Sequence, residues 1–329
     1  MKTCLLSICI PTYNRAVFLA ECLESLALFD AALWDNVEIV VSDNASTDNT
    51  KEVVERYRDR IPIRYFRNAT NIGGERNFFA AARHGLGEYV WVFGDDDILQ
   101  EPAVASALQY IGIGFDLIVL NYSVWSRGMD IELRSRGIAR TEVAIHDNAN
   151  AALASLGLHL GYISSVVVKR SIFLSAPEEE YEQFVEYGFS HLYSTYRGLP
   201  ARCRAICLPD PVFRNRADNC EGFIGESAQA NWNKYFIEGS ALVFEMLGRK
   251  GYSPFAVARA KGRVLKDFIT GRILAGMNGV DRLALARLMY RHYRWNWRYW
   301  FMCAPALILP GPALKLARKT YMAVRRALH

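Results

Sequence analysis

The chain has 329 residues, 51% hydrophobic and 22% charged, which is enough apolar material for a full core and too much for a disordered chain. Its formal charge of +5 is unevenly divided: residues 282–329 carry ten Lys and Arg and no acid, leaving residues 1–281 with 29 basic against 34 acidic side chains, a net of −5. That division disfavours a uniformly basic nucleic-acid binder, and seven cysteines in a chain this long form no disulfide framework, so a reducing, cytoplasmic setting is expected.

From the N-terminus, short β-rich runs alternate with helical patterns, the signature of βαβ units around a parallel sheet. The apolar run at 5–10 is far shorter than the ~20 residues of a spanning helix and leads directly into Pro11, so it reads as a first strand and not as a leader. Further strands are expected at 37–42, 63–66, 89–93 and 117–120, with helices at 17–28, 48–57, 75–84 and 102–111 between them. In the first helix Phe18, Cys22, Ser25 and Leu26 share a face that Leu19 and Leu23 widen. Residues 122–140 read as irregular or edge β-structure, Asp147 as the cap of a helix ending at 156, 162–169 as a strand, 178–196 as a helix and 201–208 as extended. From about 226 the pattern is helical, through 226–248, 254–275 and 281–293. The expected architecture is an α/β domain over 1–222 and a helical region over 223–329.

Polar residues collect after the strands, and in an open α/β sheet the carboxyl ends of the strands are where ligands bind. The run Gly94-Asp95-Asp96-Asp97 is the most informative. Adjacent carboxylates repel one another, and oxygen-only ligands suit a hard divalent ion such as Mg²⁺ or Mn²⁺; a solvated loop ahead of the helix at 102 is the plainer reading. After the second strand, Ser46, Thr47 and Asp48 are good helix caps, whereas Asp43 is not needed for a cap. Between the third strand and its helix, Asn71, Gly73, Gly74, Arg76 and Asn77 combine close backbone approach with a helix N-terminus and a cation, which suits phosphate. Cys203 and Cys207 lack the second pair of ligands that a zinc site needs. Gly112-Ile113-Gly114 precedes a strand instead of following one, so a dinucleotide fingerprint is not supported.

Four segments taken together, Ser7-Ile8-Cys9-Ile10-Pro11-Thr12-Tyr13-Asn14-Arg15, Val40-Val41-Ser42-Asp43-Asn44, Asn71-Ile72-Gly73 with Arg76-Asn77, and Trp91 leading to Gly94-Asp95-Asp96-Asp97, resemble the inverting family 2 glycosyltransferases of the GT-A fold. Within it they are similar to the abequosyltransferase-like branch, which adds sugars to lipid-linked O-antigen units. The resemblance implies a nucleotide-diphosphate sugar donor, with CDP, UDP and dTDP all open as the nucleotide. Pro11, Thr12, Tyr13 and Arg15 would line base and ribose, Asp43 would accept from the base, and Asp95, Asp96 and Asp97 would correspond to the metal and ribose motif. Gly94 stands where many relatives have the first Asp; Asp96 is favoured for the metal and Asp95 for the ribose. Arg214, with Asn215, Arg216 and Asn219, resembles the family's segment near the diphosphate.

Relatives supply a general base from a Glu-Asp pair seven to eight residues before an Arg and a Gly. Counting back from Arg197-Gly198 reaches Ser190-His191, so His191 is the expected base, with Glu186 as second choice. The missing carboxylate leaves open a catalytically silent carbohydrate- or membrane-binding protein on the same scaffold. At 294–301 aromatics interleave with Arg, and 315–326 reads as a basic amphipathic helix. Both suit the headgroup region of an anionic membrane; the resemblance implies a lipid-linked saccharide as acceptor and argues against nucleic acid as a partner.

Overall fold

A computed structural model describes residues 4–100, 102–217, 233–269 and 282–309, together with residues 313, 316 and 319. The chain divides into two compact units. The first comprises Met1–Ala152, His159–Val185 and Ser190–Phe223; the second comprises Leu153–Leu158, Glu186–Phe189 and Ile224–His329. The expected boundary at 222 falls within 218–232, outside the described residues.

The first unit is built on one ten-stranded sheet. Strands β1 (Leu6–Thr12), β2 (Val37–Asp43), β3 (Ile63–Arg67) and β4 (Tyr89–Val92) are mutually parallel in the order β3-β2-β1-β4. Beyond them the order continues β9 (Val166–Lys169), β6 (Leu117–Trp125), β10 (Ala205–Arg216) and β5 (Ile98–Leu99), with β9 and β5 antiparallel to their neighbours. Short strands β7 (Glu132–Arg134) and β8 (Ala144–His146) flank β6 and β10. The central strands are apolar on both faces because helices cover them. From α1 (Ala16–Ala27), Leu19, Leu23 and Leu26 at 3.6-residue spacing pack with Ile8, Ile10, Ile39, Val41, Trp91 and Ile118 in one core. The other helices of this unit are α2 (Thr50–Tyr57), α3 (Gly74–His84), α4 (Pro102–Gly112), α6 (Arg170–Phe173), α7 (Glu178–Tyr181) and α8 (Ser190–Gly198). Helix α5 (Ala149–Leu156) starts in this unit and ends in the second.

Several elements differ from the sequence expectation. β6 runs to Trp125 and β10 to Arg216, because each pairs with the other along its length despite the register shifts around Pro211. The strand expected at 162–169 opens as a tight turn at Ile163–Ser165. The helix expected at 178–196 is broken: α7 passes into a 3₁₀ turn at Glu182–Tyr187, and Gly188, at φ +68°, separates this from α8. Asn148, not Asp147, caps α5, its side chain accepting from Ala151 N at 2.8 Å. Phe18 leaves the core and instead receives the guanidinium groups of Arg15 and Arg216, 5.0 and 5.1 Å from its ring centre.

The second unit is helical where described, with Ser240–Arg249, Pro254–Arg263, Arg282–Tyr293 and Ala304–Ile308 as its α-helices. Its core joins Ile237, Phe244, Leu247, Leu265, Met289 and Tyr293.

Gly87 marks where the chain enters β4. A Cβ there would lie 2.6 Å from Ser7 N and 2.8 Å from Leu6 C, both backbone atoms of β1. Gly87→Ala is expected to cost about 1–3 kcal/mol, since overpacking against backbone cannot relax by a rotamer change. Urea denaturation checks this, and an unchanged midpoint would contradict the packing of the β1–β4 junction.

Candidate functional site

The carboxyl ends of β1 and β4 bring Thr12, Arg15 and the acidic turn 94–97 together. Thr12 Oγ1 donates to Asp95 Oδ2 at 2.7 Å, and Arg15 Nε to Asp95 Oδ1 at 2.9 Å. The same guanidinium reaches Asp96 Oδ2 through Nη2 at 2.7 Å. Asp97 turns to other partners: Tyr162 Oη donates to its Oδ2, and Asn215 Nδ2 and Arg216 N approach its Oδ1 at 3.3 and 3.2 Å. Arg216 Nε donates to Asp96 O at 3.0 Å, and its Nη2 pairs with Glu21. Gly94 N donates to Ser164 Oγ at 2.9 Å.

Asp95, Asp96 and Asp97, the carboxylates expected at the metal and ribose, take different partners within the turn. Among the described residues no group of three or more His, Cys, Asp or Glu side chains converges as a cation site. Thr12 and Arg15 take up Asp95, and the same guanidinium also holds Asp96. Two carboxylates remain near one place: a Cβ on Gly94 would lie 3.0 Å from Asp96 Oδ1, 3.1 Å from Asp97 Oδ2 and 3.2 Å from Ser164 Oγ. The glycine therefore leaves a small cradle lined by oxygen. An oxygen-only set with two carboxylates fits a divalent ion that also binds substrate phosphates.

At the end of β2, Asp43 is 1% exposed, accepts from Ser46 N at 2.8 Å and from Tyr65 Oη, and is ion-paired with Arg67, whose Nε is 3.4 Å away. Tyr65 and Arg67 stand on β3, where Arg67 is opposite Asp43 in register. Pro11 and Thr12 end β1, Tyr13 is exposed, and Asn14, at φ +52°, turns the chain so that its side chain accepts from Thr47 N at 2.7 Å. Asn71 Oδ1 accepts from Asn44 Nδ2 and Gly73 N, both at 2.8 Å, which shapes the backbone at Gly73 (φ +88°) and Gly74. Asn77 is buried and joined to Ser42 through both amide atoms, at 2.7 and 2.8 Å, so it splices α3 to β2. Arg76 pairs with Glu182, and the Arg214 guanidinium lies 4.4 Å from the Trp125 ring centre. Asn219 lies outside the described residues.

His191 is 3% exposed at the start of α8. Its Nδ1 is 3.3 Å from both carboxylate oxygens of Glu75, and its Nε2 is 3.1 Å from the Gly161 carbonyl. Glu75 also accepts from Ser190 N at 2.9 Å and from Ser190 Oγ. A base must turn a lone pair toward the incoming hydroxyl. Both ring nitrogens of His191 face acceptors instead, and Glu186 is paired with Lys234 in the second unit. Tyr65, Arg67 and Glu75 are not among the site residues expected from the sequence. The β2–β3 register would have pointed to the first two; Glu75 gave no signal beyond an acid in a first helical turn.

Residues 7–164 match the glycosyl transferase family 2 model. Over this segment, just under half of its length, the chain is similar to family 2 glycosyltransferases. Abequosyltransferase RfbV of Salmonella typhimurium is 35% identical over 179 residues, covering 50% of this chain and 53% of that protein. The GalNAc(5)-diNAcBac-PP-undecaprenol β-1,3-glucosyltransferase of Campylobacter jejuni is 30% identical over 138 residues, 41% of this chain and 44% of that one. The chain thus spans about half the length of these relatives. A crystal structure of Staphylococcus aureus TarS has a TM-score of 0.61 at 18% identity, covering 88% of this chain and 81% of its own, and the fold shared with the family 2 domain is GT-A.

Burial pushes the carboxyl groups of Asp95 and Asp97 above the ordinary range; Arg15 opposes this at Asp95, and the neighbouring Asp96 charge adds to it at both. A carboxyl raised above its unfolded value of about 3.9 contributes stability that is complete below that pH and is lost as the pH climbs toward the native value. Asp97→Asn keeps an acceptor for Tyr162 and removes the buried charge. Its melting temperature relative to wild type is therefore expected to rise between pH 5 and pH 8 in EDTA. A difference independent of pH would show that Asp97 ionises freely.

Proposed function

We propose that this protein transfers a sugar, with inversion, from a nucleotide-diphosphate donor to a hydroxyl of a lipid-linked saccharide in surface polysaccharide synthesis. The observation that carries the reading is Thr12 and Arg15 gathered on Asp95 and Asp96 at the ends of two parallel strands, within the segment that matches family 2. Asp43, oriented by Tyr65 and Ser46, would accept from the base. Asp95, held by Thr12 and Arg15, would meet the ribose beside Pro11 and Tyr13. Asn71, Gly73, Gly74 and the first turn of α3 would approach the diphosphate with their N–H groups, with Arg76 as a nearby cation. Asp96 and Asp97 would hold a divalent ion, Mg²⁺ or Mn²⁺, which supplies charge neutralisation for the departing diphosphate. TarS has been solved with UDP-GlcNAc, and a Pyrobaculum calidifontis mannosyltransferase with GDP-Man and Mn²⁺, the latter at a TM-score of 0.51. Those ligands support a sugar nucleotide and a metal here without selecting the base.

The acceptor side of the reading draws on the relatives' names and on the second unit. Trp295, Trp297, Trp300, Phe301 and Ile308 are 89%, 60%, 49%, 77% and 82% exposed, so they do not fill a core. Arg298 lies 4.6 Å from the Trp297 ring centre and Arg294 5.6 Å from that of Trp295, an alternation of cation and aromatic that suits anionic headgroups. No helix among the described residues is long and apolar enough to cross a membrane, so the contact is read as peripheral. The basic helix expected at 315–326 lies almost wholly outside the described residues.

Thermal shifts with CDP, UDP and dTDP, each with and without Mn²⁺, test the donor site. One nucleotide with Mn²⁺ is expected to raise the melting temperature; no shift with any would refute the assignment. Asp96→Ala is expected to lower turnover by about 10²-fold or more with the fold intact. Turnover at the wild-type level would remove Asp96 from the chemistry, and a wild-type chain that binds but never turns over would favour a silent scaffold. Co-sedimentation with phosphatidylglycerol vesicles should be salt-sensitive and weaker for Trp295→Ala/Trp300→Ala. Equal binding to purely zwitterionic vesicles would contradict the anionic preference.

A further inference from the structure

We propose that Glu75 and His191 form a buried brace that positions Tyr162 and Ser164 beneath the acidic turn, so that His191 acts on donor binding and not as the proton acceptor. The proposal rests on the donor-site reading above and extends it to residues with no place in it.

The resemblance led to an expected carboxylate at the start of α8, where the chain has Ser190 and His191. A carboxylate does stand there, but it comes from α3: Glu75 accepts from Ser190 N at 2.9 Å, from Ser190 Oγ and from His191 Nδ1 at 3.3 Å. The far side of the imidazole meets the Gly161 carbonyl at 3.1 Å. Whichever ring nitrogen carries the proton, the other faces an oxygen at 3.1 or 3.3 Å. Glu75 is 3% exposed and lies in the same enclosure. The ring therefore turns no lone pair toward an incoming sugar hydroxyl.

What it does offer is a fixed Gly161. The next residue, Tyr162, sends its hydroxyl to Asp97 Oδ2 and receives Asn215 Nδ2 at 2.7 Å. Ser165 N and Oγ close the turn on Tyr162 O at 3.1 and 2.8 Å. Ser164, within that turn, accepts from Gly94 N at 2.9 Å through its hydroxyl and from Trp91 Nε1 at 2.7 Å through its carbonyl. The brace thus bears on both Asp97 and Gly94 through one short turn. Displacing Gly161 moves a donor to Asp97 and an acceptor for Gly94 together.

The test is calorimetric binding of CDP, UDP and dTDP with Mn²⁺ to wild type, Glu75→Gln, His191→Gln, Tyr162→Phe and the His191→Gln/Tyr162→Phe pair. Each brace variant is expected to weaken the nucleotide that binds wild type by about 10- to 100-fold, the range for residues that orient ligands from behind. The double variant should lose little more than the worse single one, because both act through the same contact. With the matching sugar nucleotide, KM for the donor should rise while kcat holds. A collapse of kcat at unchanged KM and nucleotide affinity would make His191 the proton acceptor and overturn the proposal, as would fully additive losses in the double variant. If a brace variant melts below the assay temperature, Ser190→Ala, which removes one donor to Glu75 and leaves the ring in place, replaces it in the cycle. Wild type that binds none of the three nucleotides would instead refute the donor site and this inference with it; wild type that binds, with variants that bind equally, would refute the brace alone.

Discussion

The first unit depends on how one turn keeps three consecutive carboxylates together. Like charges on adjacent residues repel, and two of these side chains are buried, so the turn needs compensation from outside itself. Arg15 supplies it at Asp95 and Asp96, while Tyr162, Asn215 and the Arg216 backbone supply hydrogen bonds at Asp97. These partners come from the ends of β1 and β10 and from the turn before β9. The order of the sheet is what makes them neighbours, since β1 and β9 both flank β4.

The βαβ half of the fold was legible because its signal is local: apolar strands of period 2, helices of period 3.6 and polar loops at the carboxyl ends. Legibility faded after residue 120, where the partners are distant in sequence. β6 and β10 run longer than their apolar cores suggest because each has the other as a neighbour. The helical pattern of 178–196 continues across Gly188, whose left-handed backbone ends it. Site residues divide in the same way. Thr12, Arg15, Asp43 and the acidic run stand at strand ends and announce themselves. Tyr65 and Arg67 become visible only with the β2–β3 register, and Glu75 only when α3 and α8 are brought together.

The two units carry different kinds of surface. In the first, polar groups are turned inward and partnered, as Asn77, Asp43 and Glu75 illustrate. In the second, several of the largest aromatic side chains face outward beside arginines. The uneven charge seen along the sequence thus corresponds to an acidic turn held by arginines in the first unit and, among the described residues of the second, arginines beside exposed aromatic rings.

Gly94 carries no charge, yet it restricts the acidic turn from a second direction. A single methyl group in its place would press on oxygens of Asp96, Asp97 and Ser164 at once. Its neighbours are constrained by charge and this position by volume. Even alanine, the smallest chemical step, would oblige these three side chains to give way by a few tenths of an ångström, so the spacing of the oxygens is set by the missing carbon as well as by charge.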